Sequence, residues 1–421
     1  MSRFSVTIVP LSKLKTLKNK MKICLVSDQL VGYHKNWSGA EMVCQHVANL
    51  LKKKEHEVFF ITTRCNESVP DNVLQISSFN FKNHFLNNIT RPFTRFYSFF
   101  FSFYYLVKKR PDIIHFFHSN FLFISIMLSA KILKIPTVFS VLDYFIICPR
   151  NNLRMNNGYI CDEKIKKNCY KCVSFLKFFE MLIMSFLYKK LDIIITFTKT
   201  SRNRLLRYGF KKENIKVIYT YNIRKNTIRD CVTLKNTVLF VGTFFEYKGL
   251  QILIKALPKV ISQISNARLF IAGGGFDNDK KRIENLVKEL NIEENVIFLG
   301  KKKNEEIIDF LFRSEIVVVP EQWHSDFGPL ILVEAMTLGK PVIAGNIGAI
   351  PEFIKDGEEG FLVEFNNSDK YAEKINFLFK NKDIALKMGI KAKNKIKFFT
   401  NTEQDVKIMD LYRELLIIFK K

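Results

Sequence analysis

The chain has 421 residues, of which 48% are apolar and 25% are charged, and this composition excludes a disordered chain or a fibre. Lys and Arg number 66 against 40 Asp and Glu, so the formal net charge is +26. That excess of positive charge excludes a protein that does not attract anions. The partner classes that remain are polyanions, nucleotide phosphates and anionic lipid surfaces. Because the basic residues are scattered and no base-reading motif accompanies them, we expect no nucleic-acid partner.

The amino terminus and the cysteines indicate a cytoplasmic protein. Residues 1–20 form a basic extension that lacks the apolar stretch and the cleavage site of a secretory signal. The longest charge-free run, 113–130, contains two histidines and predicts a strand, a turn and a helix rather than a membrane span. Eight cysteines without an export signal predict reduced thiols.

Short β-rich runs alternate with longer amphipathic stretches, which predicts an α/β fold of parallel sheets covered by helices. The first half supplies six predicted strands, at 22–26, 56–63, 112–117, 136–142, 192–196 and 215–219. The second half supplies six more, at 237–242, 267–273, 295–300, 315–320, 341–345 and 360–365. Two successive open sheets fit this order better than one large sheet.

The boundary between the two sheets is predicted near residues 221–235, where polar residues accumulate and the periodicity lapses. After the extension at 1–20 we expect a Rossmann-like domain at 21–225 and a second one at 226–400. A last helix at 401–421 is predicted to pack back on the first domain. Open α/β sheets bind ligands at the carboxyl ends of their strands, so two facing sheets predict a cleft between them.

The densest group of chemically unusual residues lies between Pro320 and Pro341. Asp326 precedes a predicted helix and Glu334 lies inside that helix. As a binding site, the two carboxylates would hold the hydroxyls of a polar ligand while the start of the helix helps to hold its phosphates. The alternative is structural: an N-terminal cap at Asp326 and a half-exposed Glu334.

This run resembles the E-x7-E region of the retaining glycosyltransferases of family 4, whose typical continuation E-A-M-x-x-G-x-P-V-I is present from Glu334 to Ile343. The resemblance extends over most of the chain from about Met21. It implies a GT-B fold, in which two Rossmann-like domains face an interdomain cleft, with a nucleotide-sugar donor on the C-terminal domain and the acceptor on the N-terminal one. It also implies that Glu334 contacts the donor ribose and that Asp326, in place of the usual Glu, touches the transferred sugar. An insertion that places Ser325 at that position is the alternative.

Lys248 is the second feature of the predicted donor site. A strand ends at Gly242, and Lys248 opens the next helix together with Gly249, where a lysine can reach a diphosphate and neutralise the charge that grows on a leaving group. A solvated turn is the alternative. Similar enzymes often add an Arg just after the first glycine, where this chain has Thr243.

Two further glycines end the next strands. Gly274 lies in a run of three glycines that allows close approach of a ligand, and Gly300 ends the strand after it. The resemblance implies that the loop at Gly300 borders the nucleobase. For both positions an ordinary strand-to-helix turn is the alternative.

In the N-terminal half, the segment 38–41 resembles the G-G-A-E turn of the family, which implies that Gly39 lies near the donor phosphate and the acceptor. A helix N-cap is the alternative. The family also places a histidine near the end of the strand at 112–117. His118 is favoured there, because His115 lies inside the strand and is predicted to be a hydrogen-bonded core residue.

Residues 140–172 resemble an insertion of one branch of the family, with a D-Y-x-x-x-C-P-R stretch and spaced cysteines. Asp143 ends a strand and is predicted to orient the acceptor hydroxyl. The four cysteines are spaced C-x12-C-x7-C-x2-C and could hold a structural zinc ion; unligated thiols are the alternative. They are Cys148, Cys161, Cys169 and Cys172.

Two aromatic stretches, 91–109 and 173–190, are flanked by Lys and Arg. Helices of this kind can lie in a bilayer interface with their cations at anionic headgroups. The alternative is that both helices are buried in the first domain. We expect peripheral contact with an anionic membrane surface on the inner face of the cell membrane.

Together with the resemblance, these features predict a retaining glycosyltransferase of the hexosyltransferase type. It would move a sugar from a nucleoside diphosphate to the hydroxyl of a saccharide or a lipid-linked acceptor, in cell-surface polysaccharide or glycolipid synthesis. No catalytic cofactor is expected. A sugar-nucleotide epimerase of the same fold is one alternative. A weakly active or inactive binding subunit of a polysaccharide assembly complex is the other, and the departures at Thr243, Asp326 and Leu142 keep it open.

Overall fold

The structure, a computed structural model, describes residues 20–34, 39–76, 84–118, 122–151, 153, 161, 169–219, 221, 232–323, 326–400 and 402–419. The chain divides into two compact units. The first consists of residues 1–197, 201–222 and 402–421, and the second of residues 198–200 and 223–401. Outside the described residues lie residues 1–19 of the predicted extension, residues 222–231 of the predicted boundary, Ser38 and Ser325.

The first unit contains a seven-stranded parallel sheet in the order β3-β2-β1-β4-β5-β6-β7. Its strands are β1 (Lys22–Val26), β2 (Glu57–Thr63), β3 (Val73–Ile76), β4 (Ile113–Phe116), β5 (Thr137–Val141), β6 (Ile193–Thr196) and β7 (Ile215–Val217). Helices precede or follow these strands: α1 (Gly39–Lys53), α2 (His84–Lys109), α3 (Phe123–Ile132), α4 (Phe175–Tyr188) and α5 (Lys199–Arg207). The central strands are apolar and buried on both faces, as expected for a parallel sheet that is covered on both sides.

The second unit contains a six-stranded parallel sheet in the order β10-β9-β8-β11-β12-β13. Its strands are β8 (Thr237–Thr243), β9 (Arg268–Gly274), β10 (Val296–Gly300), β11 (Ile316–Val319), β12 (Val342–Gly345) and β13 (Phe361–Val363). Its helices are α6 (Leu250–Ile261), α7 (Asp277–Glu289), α8 (Asn304–Arg313), α9 (Leu330–Thr337), α10 (Ile350–Phe353), α11 (Ser368–Lys380) and α12 (Lys382–Thr400). This strand order is that of the Rossmann fold.

The last helix, α13 (Thr402–Phe419), belongs to the first unit. Ile408, Tyr412 and Leu415 are buried in the same apolar core as β1 and α1. The chain therefore leaves the first unit, forms the second, and returns to complete the core of the first.

The prediction of an α/β protein with two parallel, Rossmann-like sheets is confirmed, and each of the twelve predicted strands is present. One strand, β3, was missed. It has four residues, and three of them are half-buried, so the pattern of a buried strand is too short to be recognised.

No helix in the described part of the chain is long and apolar enough to cross a bilayer.

Candidate functional site

In the second unit the order of the strands along the sheet reverses between β8 and β11. These two strands are neighbours in the sheet although β9 and β10 intervene in the chain. Ligands of open α/β sheets bind outside the carboxyl ends of the strands at such a switch point. Lys248 follows β8 and Glu321 follows β11. Both side chains therefore lie at the position where a Rossmann-like unit offers a binding crevice.

A cavity of about 220 Å³ occupies this position. Lys248 and Glu334 both line it, as the sequence analysis requires of residues that bind one donor. The other lining residues come from β8, β11, α8, the start of α9 and the loop between β11 and α9: Phe240, Val241, Ile307, Val318, Val319, Pro320, Glu321, Pro329, Leu330 and Ile331. Apolar walls with a few polar groups are typical of a small-molecule site.

Lys248 is held at the cavity wall by an ion pair with the buried carboxylate of Glu321. The Lys248 Nζ donates to Glu321 Oε1, while Glu321 Oε2 is buried and accepts no hydrogen bond among the described residues. The sequence analysis missed Glu321. Its place directly after Pro320, at the end of a buried strand beside the predicted site, was the signal that could have identified it.

The turn that carries Lys248 depends on Gly249. Residues Glu246–Lys248 form a short 3-10 helix, and Gly249 follows in the left-handed region with φ of 73°. A Cβ atom at this position would lie 1.7 Å from the carbonyl oxygen of Pro320. Glycine is therefore needed for both the backbone conformation and the close approach of the loop after β8 to the end of β11.

The two carboxylates of the resemblance are both buried, but only Glu334 reaches the cavity. Glu334 lies in the second turn of α9 and lines the cavity. Asp326 precedes α9 by four residues, is fully buried and is not among the lining residues. The structure thus brings Glu334 and Lys248 to one cavity and leaves Asp326 outside its wall.

The three predicted glycines of the donor site lie at strand ends and outside the cavity lining. Gly242 pairs with Gly273 where β8 and β9 run side by side, and a Cβ on Gly273 would lie 1.8 Å from the Gly242 carbonyl oxygen. Gly274 is the last residue of β9. Gly300 ends β10 with φ of 71° and has open space where a Cβ would be.

The switch point of the first unit lies between β1 and β4, and a cluster of titratable side chains follows these strands. His118 comes two residues after β4, and its Nδ1 lies 2.9 Å from Glu41 Oε1. Its Nε2 lies 3.4 Å from Asp143 Oδ2, which follows β5. The structure therefore brings His118 and Asp143 together and adds Glu41, which the sequence analysis quoted but did not single out. Gly39 is the first residue of α1, two positions before Glu41.

The carboxylates favour a protonated His118. Burial by itself would lower the pKa of His118, but the hydrogen bond to Glu41 and the negative charges of Asp143, Glu41 and Asp28 together raise it to about 9. Burial also raises the pKa of Asp143, although His118 and the Phe145 N–H oppose that shift. At neutral pH the imidazolium is therefore a cation and hydrogen-bond donor rather than a general base.

His115 is a hydrogen-bonded core residue, as predicted. It is fully buried, with Nδ1 at 2.5 Å from the Tyr412 hydroxyl and Nε2 at 2.9 Å from the Ser140 hydroxyl. Burial lowers its pKa to about 3, so it is neutral.

The four cysteines of the predicted zinc site are not grouped as metal ligands within the described part of the chain. Cys148 is buried, whereas Cys169 and Cys172 share one turn in which the Cys172 N–H donates to the Cys169 carbonyl at 3.0 Å. Cys161 is described, but residues 154–160 and 162–168 on either side of it are not. The zinc site remains a prediction.

Comparisons with known proteins agree with this geometry. Residues 37–220 match the family model Glycosyltransferase Family 4, and residues 228–395 match the model Glycosyl transferases group 1. The boundary between the two matches falls where one unit of the structure gives way to the next.

Individual relatives match about half of the chain. An uncharacterized glycosyltransferase of Methanocaldococcus jannaschii is 31% identical over 229 residues, which are 53% of this chain and 60% of that protein. N-acetyl-alpha-D-glucosaminyl L-malate synthase of Bacillus anthracis is 26% identical over 237 residues, 49% of this chain and 60% of that protein. The chain thus spans less than two thirds of the length of these curated relatives.

Among solved structures, Anabaena HepE in complex with UDP and glucose resembles the chain with a TM-score of 0.69. The match covers 93% of this chain and 99% of HepE at 17% sequence identity, so it concerns the fold. With a family model on each unit and the strand order of a Rossmann-like sheet in both, the chain belongs to the glycosyltransferases of family 4 and has the GT-B fold.

Proposed function

We propose that the chain is a retaining glycosyltransferase that transfers a hexose from a nucleoside-diphosphate sugar to an acceptor hydroxyl. One observation carries this proposal: a lysine and a carboxylate, Lys248 and Glu334, line the same cavity at the switch point of the second unit. A cation suits a diphosphate and a carboxylate suits the hydroxyls of a ribose. The UDP and glucose in the HepE complex support a nucleotide sugar as the donor.

The reaction that suits these groups is a front-face displacement. The incoming hydroxyl attacks the anomeric carbon from the side of the leaving diphosphate, and a diphosphate oxygen takes the proton of the hydroxyl. Lys248 stabilises the charge on the departing diphosphate, and Glu334 holds the ribose. The resemblance implies that Asp326 lies near the transferred sugar. Because it is buried outside the cavity wall, we propose that it shapes the loop before α9.

The first unit supplies the acceptor side. With both ring nitrogens engaged by carboxylates, His118 presents a positively charged ring to a hydroxyl or to a developing negative charge. Asp143 is the group that we propose orients the acceptor hydroxyl. The acceptor is a saccharide or a lipid-linked saccharide, and the setting is polysaccharide or glycolipid synthesis at an anionic membrane surface.

The test uses the purified full chain and a panel of nucleotide sugars. Thermal stabilisation by one member identifies the donor, and release of nucleoside diphosphate with and without acceptor then measures transfer and hydrolysis. We expect retention of the anomeric configuration in the product. An inverted product would contradict the mechanism, and full activity of Glu334→Ala would contradict the site. A chain that binds a donor but neither transfers nor hydrolyses it would be the inactive binding subunit instead.

A further inference from the structure

Three neighbouring helices of the first unit expose large apolar side chains. α3 packs against both α2 and α4. An ion pair between Arg95 of α2 and Glu180 of α4 joins the outer two helices. The side chains on their outer surface therefore form one continuous face, which we call the aromatic face.

The exposed residues of α2 and α4 recur at helical spacing. On α2, Phe96, Phe100 and Tyr104 follow each other at intervals of four and are 67%, 52% and 66% exposed. On α4, Phe175 and Phe179 are 80% and 58% exposed, and Phe186 lies on the same stripe. Because side chains three and four residues apart share one side of a helix, each helix presents an aromatic stripe to solvent.

The middle helix continues the same surface. On α3, Leu128 and Ile132 are exposed and are also four residues apart. Single exposed apolar residues are ordinary on a protein surface, but stripes on three adjacent helices are not. The face needs a partner that accepts aromatic rings and aliphatic side chains over a wide area.

The charges around the face define that partner. Six basic residues lie on these three helices, against a single carboxylate, Glu180, which is paired with Arg95. Lys108 and Lys177 of this set are exposed, and so is Lys190 in the turn after α4. A surface that combines aromatic stripes with exposed lysines is complementary to an anionic bilayer, where the aromatic rings enter the interface and the lysines meet the headgroups.

A second copy of the chain fits this face less well. Two copies that associate through the same patch would bring the exposed lysines of one copy against those of the other, and like charges across an interface are unfavourable. We propose that the aromatic face binds an anionic lipid bilayer, with α2, α3 and α4 lying in the plane of its interface. This inference does not depend on the sugar-transfer reaction.

The experiment measures co-sedimentation of the full chain with vesicles of phosphatidylcholine, with or without phosphatidylglycerol. We expect binding to the anionic vesicles that weakens as salt rises, and little binding to phosphatidylcholine alone. A variant with Phe100→Ser, Phe179→Ser and Phe186→Ser should bind at least about ten-fold more weakly, because three rings no longer enter the interface. A second variant, with Lys108→Gln, Lys177→Gln and Lys190→Gln, should lose the preference for phosphatidylglycerol.

A matched control removes exposed apolar residues of the second unit by Phe365→Ser, Leu386→Ser and Ile390→Ser, which are 53%, 64% and 52% exposed. It should bind vesicles like the wild-type chain. The proposal would be overturned if the wild-type chain stayed in the supernatant or if the aromatic variant bound as tightly as the control. A wild-type dimer that the aromatic substitutions convert to a monomer would overturn it too. Because vesicle binding is read without donor or acceptor, these results are separate from any failure of sugar transfer.

Discussion

Lys248 can be tested separately for its structural role and for its catalytic role, because its partner Glu321 is known. Lys248→Ala leaves a carboxylate that is 4% exposed without its cation, and such a loss costs about 3 kcal/mol of folding free energy. We expect Glu321→Gln in the same chain to recover most of that loss, since no buried charge remains. The measurement is urea unfolding of both variants.

Activity should not recover with stability. If Lys248 stabilises the leaving diphosphate, kcat falls by about 100-fold or more in Lys248→Ala and stays low in the double variant. Lys259→Ala is the matched control, because Lys259 belongs to the same unit and pairs with the exposed Asp369. If kcat recovered together with stability in the double variant, the result would show that Lys248 has a structural role and would contradict its catalytic role.

His118 predicts a pH-dependent stability of the first unit. Its pKa is raised from 6.5 to about 9 in the folded chain, so the stabilisation is fully present below pH 6.5 and is lost as the pH rises through 9. The melting temperature of His118→Gln should lie about 5 °C below that of the wild-type chain at pH 6. The two melting curves should converge near pH 10.

The control for this prediction is Glu41→Gln, which removes the carboxylate hydrogen-bonded to His118 Nδ1. It should reduce the pH dependence by itself, and combining it with His118→Gln should add little. A constant difference between wild type and His118→Gln from pH 6 to pH 10 would contradict the proposed imidazolium.

At the scale of the elements, the loop between β8 and α6 requires glycine at position 249. Gly249→Ala places a Cβ 1.7 Å from the Pro320 carbonyl oxygen in addition to the strain of a φ of 73°. We expect a loss of about 3 kcal/mol or more in the unfolding free energy of the second unit, or a failure to fold. Chemical unfolding followed by circular dichroism measures it.

Gly357→Ala is the matched control, because Gly357 has a φ of 76° and open space around the position of a Cβ. This substitution should lower the unfolding free energy by about 1 kcal/mol, because it adds only the strain of the left-handed conformation. Equal losses at both positions would mean that the contact between the loop after β8 and the end of β11 is dispensable.

The sequence predicted the elements better than the contacts between them. Buried strands such as β11 and β12 are apolar throughout and are bounded by Pro or Gly, so they can be recognised without a structure. By contrast, the Lys248–Glu321 pair joins loops 73 residues apart, and the His118–Glu41 pair joins residues 77 apart. Such pairs follow from strand order, which local patterns do not contain.

At the scale of the whole molecule, the return of the chain to the first unit predicts that the folding of this unit depends on α13. Tyr412 of α13 is fully buried and bonded to the buried His115, and its neighbours Ile408 and Leu415 belong to the same core. Deleting residues 402–421 should therefore unfold the first unit or expose it to proteolysis. The second unit, whose core contains none of these residues, should persist as a protected fragment.

Limited proteolysis with mass spectrometry measures this outcome. Tyr412→Phe, which keeps the ring and removes the hydroxyl that bonds to His115, should cost about 1–3 kcal/mol and leave the digestion pattern intact. If the shortened chain melts and digests like the full one, α13 is not part of the folding unit.

The position of α13 also has a consequence for biosynthesis. While the ribosome makes the chain, residues 21–222 emerge long before α13, and all of the second unit is translated in between. The apolar groove that α13 fills beside α1 and β1 is therefore open throughout that interval. The amino-terminal half reaches its native state only after the last stretch of translation, and until then its exposed apolar surface favours aggregation of the nascent chain.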